Sequence, residues 1–346
     1  MKSLFGDDRK ALFIRRDTFE SFSDSEKENH IEKVFQFYRK NGFPHFPSHR
    51  PYLIKKLIQA KNYQISNCID QENKTILLTM QGLSFCWSYH PHHWGVTCNS
   101  NKNPMEIFES DDLFRELLWK CMHPTMGHGF QPPSIRKTIQ IFKGTQRVQN
   151  FRPLAAAAIY QKFCPAGGTV YDMSSGYGGR ALGAHLAGVK YFGVDPCTEN
   201  FNGVQKMISD FEFDAEIKQT GSEVGGWLKE SSIDFSFTSP PYFNCEKYSN
   251  EPTQSYIKYP TKELWLNGFL GDTLKECQRV TKDSSVIALN IASVRSYRNL
   301  IEDVLRLSES IGLQYLDTWK LQLSGLNRKG FKFEPILIFN NCKKNL

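Results

Sequence analysis

The second half of the chain alternates short apolar strands with helices, and this alternation is the feature that most constrains its fold. Five strands are predicted there, each followed by a helix or a turn: Thr169–Asp172, Tyr191–Asp195, Ala215–Lys218, Ile233–Phe237 and Ser285–Ile291. Two further strands, Leu313–Leu321 and Pro335–Asn340, close the chain without a helix between them. Strands alternating with helices, followed by a final strand pair, predict an α/β fold with a mostly parallel sheet.

The strand Ile233–Phe237 runs almost directly into Ser239-Pro240-Pro241-Tyr242. Neither proline can donate to a sheet ladder, so the strand must stop there. The residue before each proline is held in extended geometry, which fixes the directions of the Ser239 and Pro240 carbonyls. A rigid turn of acceptors followed by an aromatic ring suits a flat ligand ring that carries an amino group. The four residues alone leave open a Pro-Pro loop with a packed tyrosine.

A second turn with chemical meaning follows the first strand, which ends in Asp172. Ser174, Gly176 and Gly178 lie in this turn, and a helix follows it. The glycines let the backbone pass close to a bulky ligand where a β-carbon would collide. The spacing G-x-G-G differs from the G-x-G-x-x-G of nicotinamide and flavin enzymes, which argues against those cofactors.

The next strand ends in Asp195, at the position where a carboxylate can accept both hydroxyls of a ribose. An ordinary helix cap is the alternative for this residue. Ser222, in the turn after the third strand, could reach the adenine end of the same ligand, or be a plain turn serine.

Taken together, residues 151–340 resemble the amino-group methyltransferases of DNA that use S-adenosylmethionine. The resemblance rests on Asp172-Met173-Ser174-Ser175-Gly176-Tyr177-Gly178-Gly179, on Gly193-Val194-Asp195 and on Thr238-Ser239-Pro240-Pro241-Tyr242. Phe151-Arg152-Pro153 is similar to the segment that embraces the methionine end of the cofactor, and Glu334-Pro335-Ile336-Leu337-Ile338-Phe339 to the last strand. The family's first motif usually has Asp-Pro-Phe-x-Gly-Ser-Gly, from which Met173, Ser174 and Tyr177 depart.

The resemblance implies a Rossmann-like class I methyltransferase sheet with S-adenosylmethionine as cofactor. The cofactor-binding residues that it implies, together with those predicted above, are Phe151, Pro153, Asp172, Ser174, Gly176, Gly178, Asp195 and Ser222. The catalytic residues would be Ser239, Pro240, Pro241 and Tyr242. Ser239 and Pro240 would accept the hydrogens of an exocyclic amine, and Tyr242 would stack on a base flipped out of the duplex.

Within the resembled family, Ser-Pro-Pro-Tyr is commoner in enzymes that methylate N4 of cytosine than in those that methylate N6 of adenine. Cytosine N4 of DNA is therefore the favoured target, as in the methyltransferases of restriction-modification systems. Three alternatives stay open: adenine N6 of DNA, guanine N2 of RNA, and a nucleic-acid-binding relative without turnover.

The first 150 residues are basic, with 21 Lys and Arg against 15 Asp and Glu, whereas the remainder has 22 against 21. Four of the basic residues, together with two residues in the loop after Tyr242, are predicted to contact nucleic acid: Arg136, Lys137, Lys143, Arg147, Lys247 and Tyr248. A solvated basic surface is the alternative. The prediction divides the chain into a basic lobe, residues 1–130, which recognises DNA, and a catalytic domain, residues 131–346.

Nine cysteines without a C-x-x-C pair suggest neither disulfides nor a zinc ribbon. The histidines at 90, 92 and 93 lack a second cluster that would complete a metal site, so no metal is predicted. No run of 18 apolar residues and no secretory signal occurs, which favours a cytoplasmic protein, nucleoid-associated or phage-encoded. The oligomeric state is not predicted.

Overall fold

The computed structural model describes residues 11–124, 129–325, 330 and 332–343. Contacts between Cα atoms divide the chain into two compact units. The first contains residues 1–46 and 91–148, and the second contains residues 47–90 and 149–346. Each unit is therefore built from two separate stretches of the sequence.

The α-helices of the two units are, in chain order, α1 Arg16–Glu20, α2 Asp24–Asn41, α3 Arg50–Lys61, α4 Leu83–Tyr89, α5 Pro104–Glu109, α6 Asp111–Cys121, α7 Pro132–Ile139, α8 Pro153–Phe163, α9 Gly179–Ala187, α10 Thr198–Phe211, α11 Ser255–Lys258, α12 Lys262–Leu264, α13 Gly271–Val280 and α14 Leu300–Ser310. A π-helical segment, Trp265–Leu270, joins α12 to α13. The strands are β1 Ile69–Asp70, β2 Thr75–Ile76, β3 Thr97–Cys98, β4 Thr169–Asp172, β5 Lys190–Val194, β6 Ala215–Lys218, β7 Ile233–Thr238, β8 Glu246–Lys247, β9 Thr281–Asn290, β10 Leu313–Gln322 and β11 Phe333–Asn341.

The first unit is a small helical body with an aromatic core. Its longest helix, α2, begins with a capping box in which Ser23 and Glu26 bond each other's backbone N–H groups. The buried face of α2 carries Val34, Phe35 and Tyr38 at helical spacing. These side chains pack with residues of α6 and α7 in one hydrophobic cluster.

The second unit contains a nine-stranded sheet in the order β1-β2-β10-β11-β9-β7-β4-β5-β6. Strands β9, β7, β4, β5 and β6 are parallel to one another, and β11 is antiparallel to both β9 and β10. This is the mostly parallel sheet with a reversed strand that the sequence predicted, and it confirms the Rossmann-like methyltransferase fold class.

Both faces of this sheet are buried, and one strand contributes to both because its successive residues point to opposite sides. On β11, Ile336 and Ile338 belong to a cluster that includes residues of α3, α8 and α9. Leu337 and Phe339 belong to a second cluster, which includes residues of α13 and α14. Helices therefore cover the sheet on either side, and the strand ends remain as the place where polar groups can meet.

The division of the chain differs from the predicted boundary at residue 130. The hairpin β1–β2 joins the sheet because β2 pairs in parallel with β10, at Lys320 and Leu321. Residues 47–90 therefore belong with the nine-stranded sheet, and residues 131–148 belong to the helical unit. Residues 125–128, next to the predicted boundary, lie outside the described residues.

Among the described residues, no helix combines the length and the apolar character that crossing a bilayer requires.

Candidate active site

The carboxylate of Asp172, at the carboxyl end of β4, is completely buried and fully hydrogen-bonded. One oxygen accepts from the Ser174 backbone N–H at 3.1 Å and from the Thr238 hydroxyl at 2.8 Å. The other accepts from Arg180 Nε at 2.8 Å and from the Tyr191 hydroxyl at 2.7 Å. A carboxylate has about four acceptor positions, and all are used. Asp172 was predicted to bind the cofactor, but its side chain instead ties the turn after β4 to the end of β7.

The turn after β4, residues 173–178, is called the cofactor turn below. It is also held by Arg180, which donates to the Ser174 carbonyl. The Ser175 backbone N–H donates to the Val194 carbonyl at 2.9 Å, which joins the turn to the end of β5. The Ser174 side chain, predicted to contact the cofactor, is half-buried. The turn is therefore fixed from both neighbouring strands.

Asp195 follows β5 directly and is 5% exposed. Its Oδ2 accepts from the Gly176 N–H at 2.7 Å and its Oδ1 from the Cys197 N–H at 2.9 Å. Burial raises the pKa of Asp195 to about 7, against the opposing effect of these two backbone donors. The Asn200 side chain also donates to this carboxylate, so capacity for about one more donor remains, and a ribose hydroxyl could supply it.

The glycines of the turn have different functions. At Gly176, with φ +56°, a β-carbon would meet nothing nearer than the Ser174 carbonyl oxygen at 3.8 Å, so open space lies beside the backbone. At Gly178, with φ +72°, a β-carbon would lie 2.6 Å from Met207 Cε. At Gly179 a β-carbon would lie 1.8 Å from the Phe151 carbonyl oxygen. Gly176 thus leaves room for a ligand, whereas Gly179 is required by the packing of the chain.

The segment before α8 lies against this turn. The Phe151 ring is half-buried, with its centroid 5.3 Å from that of Phe237, and the Arg180 guanidinium carbon lies 5.3 Å from the Phe151 centroid. Pro153 opens α8 and is buried, and a β-carbon on Gly82 would lie 3.0 Å from its ring. Phe151 therefore lies beside the cofactor turn, whereas Pro153 is enclosed by the core.

Ser222 is 3% exposed, and its hydroxyl lies 2.7 Å from the Thr273 hydroxyl of α13. This bond holds the turn after β6 against the helix. The side chain was predicted to reach the adenine end of a ligand, but its hydroxyl is used within the fold.

The turn that carries Ser239-Pro240-Pro241-Tyr242 begins where β7 ends. Ser239 is half-buried and Pro240 is buried. Within the described residues the Pro240 carbonyl accepts no hydrogen bond, whereas the Pro241 carbonyl accepts from the Phe243 N–H at 3.1 Å. Phe243 has φ +59°, which is costly for a bulky side chain, and its ring packs against Trp265 and Tyr297. Core packing thus holds a strained turn in one shape.

The Tyr242 hydroxyl lies at the centre of a polar network that the sequence analysis did not predict. It is 3.4 Å from Ser239 Oγ, 3.2 Å from Glu334 Oε2 and 3.2 Å from the Asn290 carbonyl oxygen. Burial, and then the nearby Glu334 carboxylate, raise the pKa of Tyr242. Burial likewise raises the pKa of Glu334. Glu334 is the first residue of the segment that resembled the last strand of the family. That resemblance is the sequence feature that could have identified Glu334 as a site residue.

The loop after the turn carries a second carboxylate. Glu246 accepts a hydrogen bond from the Tyr248 hydroxyl, and its pKa is raised by burial. The Tyr248 ring lies with its centroid 6.1 Å from that of Tyr177 in the cofactor turn. Farther along, Glu251 accepts from the Thr198 backbone N–H at the start of α10. The loop therefore lies across the ends of both β5 and β7, and Tyr248 is placed beside the site.

Two of the basic residues predicted to contact nucleic acid are used inside the first unit. Arg136 is 8% exposed, donates to the Pro44 and His45 carbonyls, and lies over the Phe46 ring at 4.4 Å. The Arg147 guanidinium carbon is 5.5 Å from the Trp94 ring, and burial lowers the pKa of Arg147 to about 10. Both guanidinium groups therefore stabilise this unit, in contrast to the predicted contact with phosphates.

The other predicted basic residues are at the surface. Lys137 and Lys247 are exposed. Lys143 is exposed too and forms an ion pair with Glu116 at 2.5 Å. Surface ion pairs of this kind are weak and exchange with solvent, so all three ammonium groups are accessible.

The site fits S-adenosylmethionine at two points that the structure shows. Gly176 leaves open space at the cofactor turn, and the Asp195 carboxylate has acceptor capacity at the end of the neighbouring strand. A groove of about 270 Å³ lies beside Asp195, lined by Pro196, Thr198, Gln219, Thr220, Glu251, Pro252 and Thr253. Among residues 11–124, 129–325, 330 and 332–343, no three His, Cys, Asp or Glu side chains are grouped so that they could hold a metal ion.

No protein-family model matches the chain, and no curated protein matches it by sequence. Among solved structures, an S-adenosylmethionine-dependent methyltransferase from Methanosarcina mazei is 13% identical, with a TM-score of 0.39, over 54% of this chain and 98% of that one. A methyltransferase from Pyrococcus furiosus is 16% identical, with a TM-score of 0.39, over 55% and 83%. An S-adenosylmethionine-dependent O-methyltransferase from Thermotoga maritima is 12% identical, with a TM-score of 0.38, over 58% and 69%. These likenesses concern the fold alone, and its assignment rests on the strand order described above.

Proposed function

We propose that this protein transfers a methyl group from S-adenosylmethionine to the exocyclic amino group of a DNA base, with N4 of cytosine as the favoured target. The observation that carries the proposal is the pairing of two turns on adjacent strands. The cofactor turn follows β4, the Ser239-Pro240-Pro241-Tyr242 turn follows β7, and Asp172 bonds both. In sheets of this type, ligands bind beyond the carboxyl ends of the strands.

The cofactor side of the site needs room and a ribose acceptor. Gly176 would let the backbone approach the ligand, and Asp195 would accept a hydrogen bond from a ribose hydroxyl. Phe151 lies beside the turn, where its ring would flank the methionine end. The cofactor supplies a methyl group on a positively charged sulfur, and the chain supplies only the positions of the groups around it.

The base side of the site needs acceptors, because an exocyclic amine is a poor nucleophile while its lone pair is delocalised into the ring. The Ser239 hydroxyl and the unbonded Pro240 carbonyl would accept its two hydrogens and draw the nitrogen toward tetrahedral geometry. The lone pair then points out of the ring plane, toward the methyl donor. Holding two reacting groups in line in this way can lower a barrier by several kcal/mol.

The structure modifies the predicted role of Tyr242. Its hydroxyl is directed toward Glu334 and Asn290, so the ring is held in a fixed orientation rather than free to follow a ligand. A base could stack on the half-buried ring, a contact worth about 1–3 kcal/mol per base in single-strand systems. Lys247 and Tyr248 in the following loop would then contact the nucleic acid beside the flipped base. A protein of this kind would act inside the cell, where the DNA is.

The test is a methylation reaction with DNA, followed by digestion to nucleosides and mass analysis. Appearance of N4-methyldeoxycytidine supports the proposal as stated. N6-methyldeoxyadenosine would move the target to adenine, methylated guanosine from an RNA substrate would move it to RNA, and binding of cofactor and nucleic acid without product would mean a non-catalytic relative.

Replacing Ser239 tests the assignment of the catalytic turn. Ser239→Ala removes one acceptor for the amine, and we expect turnover to fall by about 100-fold, the lower end of the range for one hydrogen bond made in the transition state. Ser232→Ala is the matched control, because that hydroxyl bonds the Lys229 carbonyl at the far end of β7. Equal turnover in the two variants would show that the turn is not the reaction site.

A further inference from the structure

Three oxygens form a chain at the proposed reaction site: Ser239 Oγ, Tyr242 Oη and Glu334 Oε2, separated by 3.4 and 3.2 Å. We propose that Glu334 is a positioning residue that sets the direction of these hydrogen bonds, and thereby makes the Ser239 hydroxyl an acceptor that selects bases with an amino group over bases with a keto group. This inference rests on the proposed function of the same turn.

The direction follows from the count of protons. An ionised carboxylate and a backbone carbonyl can only accept, so the Tyr242 hydroxyl donates to Glu334 or to the Asn290 carbonyl, both at 3.2 Å. The Tyr242 oxygen can then accept, and the only hydrogen that the Ser239 hydroxyl has is used to donate to it. The lone pairs of Ser239 Oγ are left to face the ligand. Because an ionised Glu334 has no hydrogen to donate, it does not compete with Ser239 for the Tyr242 oxygen.

The surroundings of Glu334 act on its pKa in both directions. Burial raises the pKa of Glu334, while hydrogen bonds from Tyr242 and Asn290 and the positive charge of Arg152 act in the opposite direction. Among the described residues, Glu246 is also near Glu334, and burial raises the pKa of Glu246. Arg152 itself is held in place by bonds to the Gln322 and Leu323 carbonyls at 2.9 and 2.8 Å.

Neutral glutamine at position 334 removes this constraint. Its amide group can donate to the Tyr242 oxygen as well as accept, and the Tyr242 hydrogen can then go to the Asn290 carbonyl at 3.2 Å. The Ser239 hydroxyl is then free to turn and donate to a ligand. A keto oxygen, which two fixed acceptors would repel, becomes acceptable to the site.

The experiment measures binding to the cofactor-free full chain. Four homo-oligonucleotides serve as probes, in two pairs that differ in an amino or a keto group: oligo-dC with oligo-dU, and oligo-dA with oligo-dI. At pH 8 we expect the wild type to prefer the amino member of one pair by about tenfold, the value of one matched hydrogen bond. Glu334→Gln should reduce that preference to about twofold or less. Glu216→Gln is the control and should retain the preference, because Glu216 lies on β6, the edge strand on the far side of the sheet.

A pH series adds a readout that mere loss of packing would not change. Because the pKa of Glu334 is raised, the wild-type preference should be complete above that pKa and disappear as the pH falls through it. In Glu334→Gln the ratio should be low and independent of pH. Thermal melting of each variant confirms that the chain is folded.

Two outcomes would overturn the inference. A wild type with no preference in either pair refutes it, and a Glu334→Gln variant that retains the wild-type ratio refutes it as well. The second result leaves the proposed function intact if nucleoside digests still show methylated amino groups. Failure of the proposed function is seen separately, as an absence of methylated product from the wild type.

Discussion

Replacing Thr238 by valine tests whether Asp172 holds the two turns of the site together. The substitution keeps the shape of the side chain and removes the hydroxyl that donates to Asp172 at 2.8 Å. Thr238 is completely buried at the last position of β7, so water cannot take over the bond. The carboxylate would keep its three other donors, from Ser174, Arg180 and Tyr191.

The expected loss follows from the charge of the acceptor. A hydrogen bond to a charged group contributes about 1.5–3 kcal/mol, against about 0.5–1.5 kcal/mol for a neutral pair. We therefore expect the free energy of unfolding to fall by about 2 kcal/mol, or roughly 4–8 °C in melting temperature for a domain of this size. Denaturant titration, followed by circular dichroism, measures the change.

A neighbouring pair on the same strand provides the control. Ser236 is also completely buried, and its hydroxyl lies 2.7 Å from the Thr281 hydroxyl, so the bond is between neutral groups. Ser236→Ala should reduce the free energy of unfolding by about 1 kcal/mol. If Thr238→Val reduces the free energy of unfolding by no more than Ser236→Ala does, the bond from Thr238 to Asp172 is not strengthened by a charge on Asp172.

The same variant also distinguishes a structural tie from a cofactor contact. The Asp172 side chain is completely buried and does not face a ligand. Thr238→Val should therefore leave the affinity for S-adenosylmethionine, measured by calorimetry, within about threefold of the wild type. The loss of a direct ligand contact would instead reduce that affinity tenfold or more. Turnover should fall further, because the catalytic turn loses its fixed position relative to the cofactor turn. A loss confined to cofactor affinity would return Asp172 to the role predicted from the sequence.

Two more predictions concern the cofactor turn. Gly179→Ala places a β-carbon 1.8 Å from the Phe151 carbonyl oxygen, so we expect a urea titration to show at least about 2–3 kcal/mol of destabilisation. Gly95→Ala is the control and should be nearly neutral, because the nearest atom to its β-carbon lies at 3.9 Å. The raised pKa of Asp195, about 7 when folded against about 3.9 unfolded, means that the folded state binds the proton more tightly, so stability is lost as pH rises from about 4 to 7. Asp195→Asn should therefore gain stability relative to the wild type between pH 5 and pH 8, by about 3 kcal/mol, and an equal difference at both pH values would refute the raised pKa.

The sheet could be predicted from the sequence because its signals are local. The alternation of apolar strands with helices, and the final strand pair, placed seven strands close to their observed limits. The prolines at 240 and 241 predicted the stop after β7, since their missing N–H groups act within one residue. Asp172, Asp195 and Ser239 were expected at strand ends, and parallel order brings such ends to one edge.

The pairing of the hairpin β1–β2 with the sheet and the unit boundaries could not be predicted. The two short strands carry too few residues for a periodic signal, and they are stabilised by pairing with β10, some 245 residues later in the chain. The predicted boundary at residue 130 also falls just before the helix α7, which opens on Pro132 and belongs to the first unit. Long-range pairing of this kind leaves no trace in the local pattern.

What the sequence alone determined is the order of strands and turns, and therefore which polar residues lie at the edge of the sheet. What only the tertiary structure decided is how each of those side chains is used. Asp172 is saturated by donors from three other elements, Ser222 is bonded to α13, and Arg136 is buried among carbonyls. Glu334 reaches Tyr242 across 92 residues of sequence. A residue's position in a motif depends on its neighbours in sequence, whereas the use of its polar atoms depends on donors and acceptors that meet it only after folding.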